Sequence, residues 1–374
     1  MSMGELLCAD SAPGDSGMAA LRDLEERIAG ADEAARARAI DKWNAVAKPI
    51  GSLGMLEDAV VRIAALTGSE DVRIGKRAVV VMCADNGVVA QGVSQCGPEV
   101  TKAVAVSLGK GVSSVCAMAR VHGIDTVAVD MGMSEVGDEG VPGVLDRRVA
   151  RGTGDISVGP AMTRDQALQA IRAGVDLVGE LAGQGYRLLV SGEMSIGNTT
   201  TSSAMTAALL GMPVEDVTGR GAGLDDAGLA RKVGAIERAL EVNAPDAGDA
   251  LDVLVKLGGF DIAGLVGLFI GGAVHRVPVV VDGYISALAA FTAQRLCPSC
   301  TCAMLASHVS AEPAARRLLD ELGLDAPIQG GLRLGEGTGG VCLVPLLDSA
   351  LSLYNGITFD ASGIEAYDPD LNVG

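Results

Sequence analysis

The 374-residue chain reads as an α/β protein: a doubly wound parallel sheet with a smaller helical domain built from its N- and C-terminal segments. Three observations predict this. From about residue 77 onward, short apolar runs alternate with helical patterns. The runs are continuously apolar instead of alternating, as strands covered on both faces are. The chain also holds 51 glycines with no collagen-like period, which fits strand–helix junctions where the backbone turns tightly or approaches a ligand.

The elements follow in order. Residues 17–67 are helical in pattern, with Leu, Ala and Ile at three- and four-residue spacing through "MAALRDLEERIAGADEAARARAIDKWNAVAK". "KPIGSLG" (48–54) breaks the pattern, and "MLEDAVVRIAALTG" resumes it as an amphipathic helix stopping at Gly68. "RAVVVMCA" (77–84) is a strand ending at "DNG", "EVTKAVAVSLGKG" a helix, and "DTVAVDMGM" (125–133) a second strand. Thr163 is the N-cap candidate of a long helix over "TRDQALQAIRAGVDLVGELAGQG". "YRLLVSGEMSIGNTT" (186–200) is a strand running into a glycine- and threonine-rich turn, followed by a small-residue helix. After a further helix at "AGLARKVGAIERALEV", "VPVVVDGYIS" (277–286) is a strand leading into an Ala-rich helix. "CAMLAS" is a last short strand before a helix at "AEPAARRLLDELGL". The expected division is a large α/β catalytic domain over 71–340 and a small helical domain from 1–70 and 341–374.

Composition narrows the function. A net charge of −18 speaks against a nucleic-acid-binding surface, which needs a basic stripe. It does not exclude an anionic small molecule held by backbone N–H groups. The first residues carry no basic region followed by a long apolar stretch, so no signal peptide is expected. The most apolar segment, "IAGLVGLFIGGAVHRVPVVVDGYI", is divided by His275, Arg276 and Pro278, so no membrane span is expected either, and the chain reads as cytoplasmic. Its eight cysteines are then expected to be reduced. "CPSCTC" (297–302) offers Cys297, Cys300 and Cys302 with only His308 near and no second CxxC pair, which falls short of a zinc site.

Ligands of parallel sheets bind at the carboxyl ends of strands. That rule picks out "ADNG", "DMGM", "SGEMSIGNTT" and "VDGYIS", each with an acid and a glycine. No P-loop, no GxGxxG after the first strand and no nucleophile elbow is present. "SGEMSIGNTTTSS" reads equally well as a phosphate or sugar cradle at a helix N-terminus or as a capped strand–helix turn. "RLGEGTGG" (333–340) sets Glu336 among glycines beside an apolar run, either as a turn before a helix or as backbone opened for close approach.

Nine blocks stand in one order: "KPIGSLGMLE", "VMCADNGVVAQGVSQCGPEVT", "RRVARGTGDISVGPAMT", "GEMSIGNTT", "ARKVGAIERAL", "LGGFDIAGLVG", "VPVVVDGYIS", "SHVSAEPAA" and "RLGEGTGG". From about residue 40 to the C-terminal helix, the chain resembles the nicotinate-nucleotide–dimethylbenzimidazole phosphoribosyltransferases of cobalamin nucleotide-loop assembly. The resemblance implies a Rossmann-like sheet, a homodimer, and no cofactor or metal. It implies transfer of 5-phosphoribose from nicotinate mononucleotide to 5,6-dimethylbenzimidazole or a related base, with inversion at C1′. It makes Glu336 the general base and Glu193 a second active-site acid. Gly197, Asn198 and Thr199 would line the nucleotide side, with Lys232 and Ser310 at the 5′-phosphate. Asn86, where many members carry histidine, and Cys96, where others carry Ser or Tyr, would fall at the base pocket. These two departures leave the base open, with adenine, other benzimidazoles or phenols and a pairing of unlike subunits as alternatives; a non-catalytic cobamide-pathway binding protein and a nicotinamide-dependent oxidoreductase are the competing readings from other classes.

Overall fold

The computed structural model describes residues 15–366. Six strands form a single parallel sheet: β1 (Arg77–Ala84), β2 (Asp125–Gly132), β3 (Val144–Asp146), β4 (Leu188–Met194), β5 (Val279–Val281) and β6 (Met304–Ala306). Their order is β3-β2-β1-β4-β5-β6. The chain winds outward from β1 in one direction and then returns to β1's other side with β4. The crevice at the carboxyl ends of β1 and β4 is therefore the topological switch point, where such sheets bind ligands.

Helices cover both faces. α1 (Asp15–Arg27), α2 (Glu33–Ala45) and α3 (Met55–Thr67) precede the sheet. α4 (Glu99–Gly109) and α5 (Ser114–Val121) link β1 to β2, and α6 (Arg164–Gly183) leads into β4. Between β4 and β5 come α7 (Asn198–Leu210), α8 (Val214–Val217), α9 (Asp226–Asn243), α10 (Ala250–Leu257) and α11 (Phe260–Val274). α12 (Tyr284–Leu296) joins β5 to β6, and α13 (Ala315–Leu322), α14 (Thr338–Tyr354) and α15 (Phe359–Ser362) finish the described chain. The helical region before the sheet is thus three helices. Asp32 caps α2 by accepting from Ala35 N–H, and Gly68 ends α3 with a φ of +74°. Thr163 caps α6 in a reciprocal pair with Gln166.

The two-residue period of β1 divides the core. Ala78, Val80, Met82 and Ala84 face a layer containing α6, α11 and α12, whereas Val79, Val81 and Cys83 face α3, α5 and α14. The helices expected to make a smaller unit share this second core: Trp43 of α2 lies against Tyr354 of α14 with ring centroids 4.9 Å apart.

The segment that most resembled a membrane span runs through α11, a core helix of 15 residues, and on through β5 to the start of α12. Its glycines serve packing. A Cβ on Gly271 would lie 3.0 Å from Val175 Cα, and one on Gly174 of α6 would lie 2.8 Å from Leu268 N. Only glycine lets α6 and α11 come together backbone to backbone. A second apolar stretch, Glu99–Val121, is α4 and α5 separated by a break at Gly111, where φ is +69°.

Candidate active site

Beside the switch point, at the carboxyl ends of β4, β5 and β6, lies a cavity of about 260 Å³. Three helices start at its wall: α7 with Asn198 and Thr199, α12 after Gly283, and α14 with Thr338 and Gly339. Their N-terminal N–H groups make a favourable field for anions and for carboxylates.

Glu336 reaches this wall by an unusual backbone. Gly335, Glu336 and Gly337 have φ values of +91°, +59° and +87° in succession. An L-residue in the left-handed region with a bulky side chain is uncommon and carries strain of about 1–3 kcal/mol. The loop is held against β4. Glu336 N–H donates to the Glu193 carbonyl oxygen at 3.2 Å, and a Cβ on Gly192 would come within 2.6 Å of the Glu336 carbonyl oxygen. On the other side of the loop, a Cβ on Gly337 would lie 2.6 Å from Val79 Cγ2. The glycines around Glu336 are there because no Cβ fits between this loop and the sheet. Glu336 Oε2 accepts from Val115 N–H, 3.1 Å away in the first turn of α5.

Glu193 closes β4, nearly buried at 9% exposure. Burial first, then the charge of Asp261, pushes its carboxyl well above the usual carboxylate range. The Asn198 amide donates to Glu193 Oε2 and, at 3.1 Å, to Asp261 Oδ2. Asp261 and Asp282 are raised as well, both mainly by burial. Asp282 is tied into the start of α14, its Oδ1 accepting Gly340 N–H at 2.8 Å. Four acids thus converge on one crevice.

Lys232 of α9 is fully buried behind the wall. Its Nζ donates to Thr199 Oγ1 and to the Gly219 carbonyl, both at 2.9 Å, leaving a third N–H. Burial lowers its pKa to about 8. Ser310 also lines the cavity. Gly197, at a φ of +92°, turns β4 into α7, and a Cβ there would meet Val89 Cγ2 at 2.8 Å.

The structure therefore gathers Glu336, Glu193, Asn198, Thr199 and Ser310 on the cavity wall, with Gly197 and Lys232 directly behind it. Asn86 is buried and donates to Ser195 Oγ at 2.6 Å, so it touches a lining residue and does not itself line the cavity. Cys96 is half-buried on the loop before α4 and also lies off the cavity lining. Sequence reasoning marked Asp282 only as one of four strand-end acids and gave no role to Asp261 or His308. The signal for Asp261 was available: an acid in the first turn of a helix otherwise apolar all round. His308 lines the cavity next to Gly339, where any Cβ would collide with its ring, and burial lowers its pKa.

Among the described residues, no group of three or more His, Cys, Asp or Glu is arranged to hold a metal ion. Cys297 and Cys300 are buried thiols with pKa values raised by burial, and Cys8 lies outside the described residues.

A phosphoribosyltransferase family model matches residues 28–364. The nicotinate-nucleotide–dimethylbenzimidazole phosphoribosyltransferase of Acetivibrio thermocellus is 44% identical over 88% of this chain and 94% of its own length. The chain belongs to this phosphoribosyltransferase family. A second enzyme of the same name, from Desulforudis audaxviator, is 42% identical over 93% of the chain and 98% of its own length. The crystal structure of CobT from Thermus thermophilus superposes with a TM-score of 0.84 at 37% identity, covering 89% of this chain and 99% of that one. The fold and reaction class expected from the nine sequence blocks stand. The family's enzymes move a phosphoribosyl group, and the cavity just described has acids on its wall and a buried lysine directly behind it.

Proposed function

We propose that this chain transfers 5-phosphoribose from nicotinate mononucleotide to 5,6-dimethylbenzimidazole, or a closely related base, releasing nicotinate and an α-ribazole 5′-phosphate. The observation that carries this reading is the cavity whose wall brings Glu336 and Glu193 together with Thr199 and Ser310, with Lys232 buried directly behind Thr199.

The chemistry follows from charge. The nucleotide's pyridinium leaves as a neutral ring, so the leaving group needs no proton. The incoming imidazole nitrogen attacks C1′ from the opposite face, which turns a β-glycoside into an α-glycoside. As that nitrogen bonds to carbon, positive charge builds on the ring and its partner N–H becomes acidic. Glu336 accepts that proton, a contribution typically worth ~10²–10⁴-fold. Cationic character on C1′ in the transition state is stabilised by Glu193, whose carboxyl is held by the Asn198 amide. The third N–H of Lys232, the Thr199 and Ser310 hydroxyls and the α7 N-terminus hold the 5′-phosphate and fix the ribose for in-line attack.

We place the base over the loops after β1, where Asn86 supports Ser195 and Cys96 stands behind. We also expect a cytoplasmic homodimer, which sedimentation of the purified protein tests. Incubation with nicotinate mononucleotide and a panel of benzimidazoles, adenine and phenols, with mass detection of α-nucleotides, tests the reaction. Nicotinate release with a benzimidazole nucleotide supports it, and product from phenols alone overturns the choice of base.

A further inference from the structure

Behind Glu193 lies a buried acid to which the reaction described above assigns no part. Asp261, in the first turn of α11, has 0% exposure. Its Oδ2 accepts from the Asn198 amide, the same amide that holds Glu193. Its Oδ1 is buried with no partner, and so is Asn86 Oδ1. Both orphaned oxygens border Gly259: Asn86 Oδ1 lies 2.8 Å from the point a Cβ on Gly259 would take, and Asp261 Oδ1 is closer still. Two acceptors cannot bond each other. One proton on Asp261 Oδ1 would satisfy both at once.

Burial raises both carboxyls, Glu193 to about 8 and Asp261 to about 6, which by itself would leave a shared proton on Glu193; the orphaned oxygens and the cavity beside Glu193 argue for placing it on Asp261. The groups facing Asp261 are Asp85 and Cys83 at the end of β1, Glu193 at the end of β4, and the neutral amides of Asn86 and Asn198. Among the described residues no arginine or lysine hydrogen-bonds to Asp261 or Glu193; the donors to Asp261 are the Asn198 amide and first-turn backbone N–H groups of α11. Two buried carboxyls on one amide, without a cation, retain one proton between them. Asp261 is the more deeply buried and has an acceptor waiting. Glu193 borders the cavity, where developing positive charge on the substrate favours its ionised form.

We propose that Asp261 is a positioning residue that works as a neutral acid: its O–H donates to Asn86, its carbonyl oxygen receives Asn198, and the Asn198 amide so fixed holds Glu193 as the ionised acid at the cavity. This rests on the phosphoribosyl-transfer reading of the same site.

Asparagine copies a protonated aspartic acid here, offering an oxygen to Asn198 and N–H to Asn86. Leucine has similar volume and offers neither. Asp261→Asn should keep kcat within about threefold of wild type, while Asp261→Leu should lose about tenfold or more in kcat with a smaller change in the nucleotide KM. Circular dichroism of both variants checks folding. Difference infrared spectra of the wild type and Asp261→Asn, without substrate, should show a buried protonated-carboxyl band in the wild type that the variant lacks. If Asp261→Asn is as impaired as Asp261→Leu, or the band is absent, Asp261 is ionised and the Asn86 amide is turned to donate to it, which overturns the proposal. Full activity of Asp261→Leu overturns the positioning role. An inactive wild type would instead sink the phosphoribosyl-transfer reading, and the infrared comparison would still decide the state of Asp261.

Discussion

The backbone N–H of Glu336 donates to the carbonyl oxygen of Glu193 at 3.2 Å, so the two acids read from separate sequence blocks are fastened to each other through main chain. Each side chain keeps one carboxylate oxygen outside its Val115 or Asn198 hydrogen bond, while their spacing is set by the end of β4. Glu336→Gln should therefore fold, bind the nucleotide and lose most turnover. Gln is nearly isosteric, keeps an oxygen for Val115 N–H, and cannot take a proton. A loss of about 10²-fold or more in kcat is expected, and retention of more than roughly a tenth of wild-type kcat would contradict the general-base role.

Gly192 gives a test that leaves every acid in place. Its missing Cβ is what allows the Glu336 carbonyl within 2.6 Å of that position. Gly192→Ala should push the 333–337 loop away from β4. A shift of about 1 Å at a catalytic group can cost on the order of 10²-fold. The expected signature is a large fall in kcat with a small change in Tm. Wild-type kcat in the alanine variant would mean that the loop is not held in its working position by this contact.

Lys232 sets a pH dependence. With its pKa lowered to about 8, the free enzyme carries the ammonium below that pH and loses it above. Binding of a phosphate favours the charged form. The KM for nicotinate mononucleotide should therefore rise as pH climbs through about 8, whereas kcat at saturation should move less. Lys232→Met should raise KM at pH 7 by roughly 10- to 100-fold, the worth of a charge-assisted hydrogen bond. It should also abolish the rise above pH 8. A KM that climbs equally in the variant assigns the titration to another group.

The position of Cys96 bears on base selection. It is half-buried and off the cavity lining, with its backbone N–H bonded to Ser94 Oγ. An apolar pocket separates ligands differing by methyl groups by only about 1–3 kcal/mol, so benzimidazole and dimethylbenzimidazole should be used with efficiencies within roughly 200-fold of each other. If Cys96 approaches the bound base, Cys96→Tyr should obstruct the larger base more. An unchanged ratio in competition assays removes Cys96 from the pocket.

How much of this was legible in the sequence depends on which physical rule each residue obeys. β1 and β4 were readable because continuous apolar runs must be buried on both faces, and the acids ending them fell where the strand-end rule puts ligands. Gly68 and Thr163 were readable because helix termini need particular groups. β3 was not: Val144–Asp146 is short and largely exposed, and it pairs with β2 because the chain returns there. Asp261 was missed because its importance comes from Asn198 and Asn86, which the fold brings to it from other elements. Glu336 became interpretable only once β4 lay beneath it. The glycines around it record the closeness of a strand that sequence spacing alone does not reveal.

The block "KPIGSLGMLE" acquires its reason from its first and last residues, which supply the final prediction. Lys48 Nζ meets Glu57 Oε1 at 2.7 Å, with the side chains only 7% and 11% exposed. The same oxygen accepts Leu53 N–H at 2.9 Å, and the ammonium also lies 5.0 Å from the centre of the Trp43 ring. The pair closes the loop between α2 and α3 against the core shared with α14. Removing one partner strands the other charge out of water, which typically costs about 3–5 kcal/mol, whereas replacing both by apolar groups is often neutral. Lys48→Met should therefore lower stability by several kcal/mol, and Glu57→Leu by a similar amount. The double variant should lose much less than the sum. Urea unfolding of the four proteins gives the coupling directly. Additive losses would show that the two charges are independently solvated and that this ion pair does not hold the loop.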